Sequence, residues 1–339
     1  MKKIALITGG MGQDGSYLAE LLLNKKYKVV VGCRELSKIK KWRHKILNIH
    51  NKIIYEKLDV SNVKNIKKIF KKYKFNEVYN LAALSFAAGS FKVPVETSKV
   101  TGLGCMYILE ILKDLNHKSK FFQASSSEIF GNNKSKVCNE NTYLDPVNPY
   151  GLAKQFAHVA TKNYRKKYNI FASNGILFNH ESPLRDEKFV TRKIVKGLVE
   201  IKMKKKKKLL LGNINSKRDW GYAKDYTRAM WLSLQKKDPG DYIISSNKLH
   251  TIKDFINQCC KYLDIKIKWS GKGLKEKAID VKNNLILIKV HQKFMRSSDA
   301  FDLRGDNNKT KKKLKWKPST SFSNLIKIMI DYEIKNIKK

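Results

Sequence analysis

No run of this sequence approaches the ~18 consecutive apolar residues that a membrane-spanning helix needs, so no membrane partner is expected. The opening Met1-Lys2-Lys3 is basic like the leader of a signal peptide, but the apolar run over residues 4–7 stops at Thr8-Gly9, short of an export core. A cytoplasmic chain is the expectation. Cysteines are few: Cys33, Cys105, Cys138, Cys259 and Cys260 are odd in number and lack paired metal-ligand spacing. That suits free thiols in a reducing compartment and predicts no metal. The adjacent Cys259 and Cys260 fall in a helical stretch and read as packing residues. Acids are scarce too, with 29 Asp plus Glu against 71 Lys plus Arg, a formal charge of +42 in 339 residues. Such an excess makes a polyanion the first partner to consider. Yet only nine of the cations are arginine, and the lysines are dispersed in pairs and runs such as 204–208 rather than gathered beside aromatics. They read as solvated faces, and no nucleic acid is expected.

What the chain does have is core material, 42% hydrophobic residues, arranged in a repeating order. A short apolar strand over 4–7, a glycine-rich turn and a helical pattern through Tyr17, Leu18, Leu21, Leu22 and Leu23 are followed by a second apolar run over 27–31. That is a βαβ unit. Further strands are predicted over 52–55, 77–80, 120–123 and 170–177, with helices such as 63–73 and 104–115 between them. The alternation predicts an α/β fold, a doubly wound parallel sheet whose ligand lies beyond the carboxyl ends of its strands. After about residue 180 the rhythm becomes irregular and lysine-rich, which predicts a smaller second domain over the crevice. The expected division is 1–180 with about 217–248 for the first domain, and about 181–216 with 249–339 for the second.

The turn after the first strand reads Gly9-Gly10-Met11-Gly12-Gln13-Asp14-Gly15. Gly9 permits the tight turn, Gly12 lets backbone approach a pyrophosphate at the helix N-terminus, and Gly15 allows close helix–sheet packing. Arg34 ends the second strand, where a guanidinium would pair with the 2′-phosphate of NADP, but Glu35 follows and leaves NAD as an alternative. A solvated loop residue is the plainer reading of Arg34. Asp59 and Val60, closing the third strand, are placed to reach an adenine, although Asp is also a common turn former. Tyr150 and Lys154 stand four apart on one helix face. The ammonium is therefore expected to lower the phenol's pKa from ~10, making the tyrosine a base for a secondary alcohol that Ser126 orients.

Several stretches extend this pattern: TGGMGQDGSYLAE over 8–20, YNLAA over 79–83, QASSSE over 123–128, NGILFNHESP over 174–183, FVTRKI over 189–194 and RDWGYAKD over 218–225. Together they resemble the extended short-chain dehydrogenase/reductase family and, within it, the GDP-mannose 4,6-dehydratases. The resemblance implies a Rossmann-type sheet with a smaller α/β substrate domain, a tightly held NADP, a GDP-linked sugar substrate and a homodimer or homotetramer. Ser126, Glu128, Tyr150 and Lys154 match catalytic positions. Glu128 would be the base that removes the C5 proton once C4 is a ketone; capping the following turn is its plainer reading. Gln13, Asp14, Leu81, Ala82, Ala83, His180 and Arg185 join the glycines at cofactor positions, and Ser85, Asn179, Lys193, Arg218, Arg296 and Asp299 fall at substrate positions. His180 reads equally as a satisfied core histidine. Trp220 and Trp316 read as packing residues. Four of the nine arginines (Arg34, Arg185, Arg218, Arg296) lie on anion-binding motifs in a chain that otherwise uses lysine. The family's Ala-Ala-Gln-Ser is Ala82-Ala83-Leu84-Ser85 here, followed by Phe86, which removes an amide near the sugar and keeps a GDP-linked heptose open as substrate. A 4-keto reductase or epimerase on a nucleotide sugar is the other alternative.

Overall fold

In the computed structural model, which describes residues 2–115, 118–295 and 302–337, seven parallel strands form the central sheet. They are β1 (Ile4–Thr8), β2 (Lys28–Cys33), β3 (Ile54–Lys57), β4 (Glu77–Asn80), β5 (Lys120–Ser126), β6 (Ala172–Leu177) and β7 (Asp241–Ile244). Their order is β7-β6-β5-β4-β1-β2-β3, every pairing parallel. The direction of winding reverses between β1 and β4, so the loops leaving these two strands part and open a crevice.

Period-two alternation distributes each strand's side chains between two helical layers. Ala5, Ile7, Val29, Val31 and Phe122 face one layer, where they meet Leu18 and Leu22 of α1 (Gln13–Asn24) and Met230 and Leu234 of helix Ala223–Leu234. Leu6, Val30, Val78 and Phe121 face the other, against Ile66 and Phe70, Ile108 and Leu112, and Ala157 and Ala160 of α2 (Pro149–Tyr168). Leu314 and Trp316 return to the first layer near the C-terminus. A separate cluster joins α3 (Val190–Lys202) to helices Ile252–Tyr262 and Phe322–Ile337 over a four-stranded sheet. Cys259 and Cys260 are buried inside it, and Trp220 with them. All five cysteines are free and buried.

Two details depart from the sequence reading. β5 runs on to Ser126 and so carries Ser125 and Ser126 on its end, while β3 stops at Lys57, leaving Asp59 and Val60 in the loop beyond it. Lys204–Lys208 lies between the end of α3 and the strand Leu209–Leu211, and Lys206 there pairs with Glu200 at 3.1 Å. Among the described residues no helix is long and apolar enough to cross a membrane.

Candidate active site

A cleft of about 2070 Å³ lies beyond the carboxyl ends of the strands, lined by the glycine turn, the loops after β2, β3, β4, β5 and β6, and parts of α2 and α3. Every candidate residue within the described part of the chain lines it. Arg296 and Asp299 lie outside the described residues.

The turn works through its missing side chains. Gly9 has φ +67°, and a Cβ there would meet the backbone of Leu81 and Ala82 at 2.8 Å, so only glycine lets the turn cross the end of β4. A Cβ on Gly15 would collide with the backbone of Gly10. Gly12 is different: its Cβ would touch only the Gly9 carbonyl oxygen, at 3.3 Å, its other side being the cleft. Bare backbone at the N-terminus of α1 fits a pyrophosphate. Leu81, Ala82 and Ala83 form the adjoining wall, and Ser125 Oγ, buried and without a hydrogen-bond partner among the described residues, offers the cleft an unspent polar group. These features fit a dinucleotide.

At the far rim Arg34 is exposed, and Glu35 beside it is held by Lys38 at 2.7 Å. Asp59 spends Oδ1 on the amide and hydroxyl of Ser61, at 2.9 and 2.7 Å, as a turn former does; Val60 is buried.

α2 begins at Pro149, and Asn148 caps it by accepting the Gly151 amide at 2.8 Å. The other arm of Asn148 donates to Glu128 Oε2 at 2.8 Å. Ser126 Oγ accepts the Glu128 amide at 3.2 Å. One turn into the helix Tyr150 and Lys154 are both buried. Contrary to expectation, the phenol is not depressed. Burial pushes Tyr150 up to about 12, the nearby Glu128 carboxylate adds to the rise, and the Ser126 hydrogen bond opposes it. Lys154 is itself brought down to about 8 by burial, and its ammonium donates to the Ala124 carbonyl at 2.7 Å, 5.7 Å from the Tyr150 ring centre.

His180 and Asp14, 166 residues apart, are joined at 2.9 Å. Gln13 Nε2 donates to Asp14 Oδ1 and to the His180 carbonyl, both at 3.1 Å. Arg185 stacks on Phe189 at 3.6 Å and pairs with Glu181 at 3.2 Å. Of the substrate candidates, Ser85 is exposed, Asn179 is half-buried, Lys193 lies 3.4 Å from the centre of the Phe294 ring, and Arg218 donates to the Lys217 carbonyl at 2.6 Å. Phe86 packs edge-on to Phe189 at 6.0 Å, and Leu84 turns toward the apolar cluster that contains Val100.

Two residues that shape the site, Asn148 behind Glu128 and Arg43 in the cleft wall, were not anticipated. Asn148 carried a visible signal, an Asn before a Pro at a helix start. Arg43 carried none: it donates to the carbonyls of Met11 at 3.1 Å and Leu184 at 2.8 Å, tying the glycine turn to the segment that bears Arg185.

The model of the family described as GDP-mannose 4,6 dehydratase matches residues 6–329. A Dictyostelium discoideum protein named GDP-mannose 4,6 dehydratase is 40% identical, with 99% of this chain and 97% of that one aligned. Proteins of that name from Vibrio cholerae (97% of this chain, 93% of that one) and Homo sapiens (98% and 92%) are each 38% identical. Among solved structures, a dTDP-glucose 4,6-dehydratase from Bacillus anthracis in complex with NAD superposes with TM-score 0.81 at 21% identity, over 99% of this chain and 98% of that one. A UDP-glucose 4-epimerase from Thermotoga maritima with UDP-glucose gives 0.82, also at 21%, over 98% and 99%. At that identity the likeness speaks for the fold, a Rossmann-type one. The full-length relatives and the family match speak for more: this chain belongs to the GDP-mannose 4,6-dehydratase family.

Proposed function

We propose that the chain is a GDP-mannose 4,6-dehydratase, a hydro-lyase that turns GDP-mannose into GDP-4-keto-6-deoxy-mannose. The observation that carries the reading is the position of Glu128, which shares a cleft wall with Tyr150 and is held there by Asn148. A simple reductase or epimerase has no use for that second carboxylate.

A dinucleotide, when bound, accepts a hydride from the sugar and returns it. Tyr150 receives the C4 hydroxyl proton as C4 becomes a ketone, and Ser126 holds that oxygen. The ketone acidifies C5–H, so Glu128 removes the C5 proton and passes it to the C6 hydroxyl, which leaves as water, giving a C5–C6 double bond. Hydride returned to C6 and, at C5, a proton that balances the one Tyr150 took from the C4 hydroxyl complete a 4-keto-6-deoxy sugar with no net redox change. With its phenol at about 12, Tyr150 is protonated at neutral pH. It becomes a base only as positive charge gathers beside it, from Lys154 and from the oxidised cofactor ring. Arg218 and Lys193 are assigned to the diphosphate of the substrate, for which a guanidinium fork is suited.

The cofactor is assigned as NADP. Lys38 answers the charge of Glu35, so the acid no longer opposes a 2′-phosphate at Arg34. Residues 1–180 and about 217–248 are assigned to the dinucleotide, and about 181–216 and 249–339 to the sugar nucleotide. A homodimer is proposed because the outer face of α2 leaves Leu152, Phe156 and Val159 exposed at 58%, 40% and 40%, an apolar stripe on the side of the helix turned away from the core.

Incubation with GDP-mannose should yield, by mass spectrometry, a nucleotide sugar lighter by one water; unchanged GDP-mannose from a folded protein rejects the reading. Glu128→Gln should lower turnover by about 10²–10⁴-fold yet still exchange hydride at C4, and dehydration at the parent rate would remove Glu128 from its role. Asn148→Ala should cost about 1 kcal/mol in urea unfolding through the lost cap. Asn148→Asp should keep that stability while slowing elimination, because it sets a like charge against Glu128. Dinucleotide released on denaturation should carry a 2′-phosphate by chromatography against NAD and NADP standards. Light scattering should give a mass above that of one chain, and Phe156→Glu should reduce it.

A further inference from the structure

A pyrophosphate at the N-terminus of α1 would meet an acid there. Asp14 is the second residue of α1, and its side chain lines the cleft beside Gly12. A carboxylate suits the first turn of a bare helix, but next to a doubly charged ligand it is a like charge in a partly desolvated place. The ring beside it removes the conflict. His180 Nδ1 lies 2.7 Å from the Phe178 carbonyl oxygen, and Nε2 lies 2.9 Å from Asp14 Oδ2. A carbonyl only accepts, and the same carboxylate accepts from Gln13 at its other oxygen. Both ring nitrogens must therefore carry hydrogen. The ring is 8% exposed and packs 4.8 Å from the centre of the Tyr226 ring.

We propose that His180 is held as an imidazolium whose charge cancels that of Asp14, and that this compensation lets the glycine turn accept the pyrophosphate of a dinucleotide. The inference rests on the cofactor reading above. It makes His180 a positioning residue that acts through Asp14, and it explains why a family-matched cofactor position is occupied by a side chain with both nitrogens already engaged.

The groups facing the ring are Asp14 from α1, Arg185 from the loop after His180, and Tyr226 from helix Ala223–Leu234. Burial lowers the proton affinity of His180 and Arg185 lowers it further, but Asp14 outweighs both and the balance is upward from 6.5. Asp14 moves down despite burial, mainly because of His180. Since the folded value is raised, compensation is complete below the ordinary histidine range and is lost as pH rises through the raised value. Beyond that point Asp14 stands uncancelled in the pyrophosphate site.

Calorimetric titration with NADP⁺ at pH 6.5 and pH 9.5 of the full-length protein, first stripped of resident dinucleotide and checked free of it by absorbance, tests this, using the parent, His180→Gln and the double variant His180→Gln with Asp14→Asn. At pH 6.5 His180→Gln should bind about tenfold more weakly, the scale of a partly buried charge at a helix end. The parent should weaken toward it at pH 9.5, and the double variant, with neither charge, should recover most of the loss at both values. Parent-like binding by His180→Gln, or a double variant no better than the single one, overturns the compensation alone. A parent that binds no dinucleotide overturns it together with the cofactor reading.

Discussion

The cleft is referenced to one backbone contact, the passage of Gly9 across the end of β4. At 2.8 Å from a notional Cβ to Leu81 and Ala82, the turn lies closer to β4 than any side chain would allow. Its depth fixes where α1 begins, and α1 carries Gln13 and Asp14 to the segment after β6. That segment leads into α3 and hence to Lys193. From the other side of the switch point, β5 ends on Ser126 and turns through Glu128 to meet the cap of α2. The dinucleotide end and the chemical end of the cleft are thus set by the same pair of central strands, a consequence of parallel winding that reverses between β1 and β4.

Features that are local in sequence were legible, and those made by distant residues were not. Apolar runs marked the strands because both faces of a parallel sheet are covered, and the three glycines and the Tyr150–Lys154 spacing announced their own geometry. The direction of the Tyr150 pKa was misjudged because spacing along a helix reports proximity but not burial. Lys154 donates to the Ala124 carbonyl rather than to the phenol. Asp59 slipped out of its strand because β3 pairs with β2 only as far as Lys57. Arg43 and the Asp14–His180 pair depend on contacts spanning 32 to 166 residues, which no window of sequence displays.

The excess of lysine takes on a different meaning beside the cleft. Five of the acids that line it are matched with cations: Asp14 with His180, Glu35 with Lys38, Glu181 with Arg185, Glu187 with Lys196, and Glu333 with Arg192, while Asp59 accepts from Ser61 and Asp186 from the Lys188 amide. A site for two diphosphate-bearing molecules needs its carboxylates masked, because each bare one would repel ligands that enter already carrying negative charge. Masking uses side chains that are locally paired, so the remaining lysines are free to lie on solvated faces.

Glu128 stands apart from that pattern. Its partner is the neutral amide of Asn148, which fixes the carboxylate without cancelling its charge. A cation in the same place would orient the group equally well but would weaken it as a base. The choice of an amide is therefore the electrostatic counterpart of the reaction: five acids of the cleft are answered by a cation, whereas the one that must take a proton is only held still. The cap of α2 supplies that amide, so the start of the helix that bears Tyr150 and the aim of Glu128 are determined by one side chain.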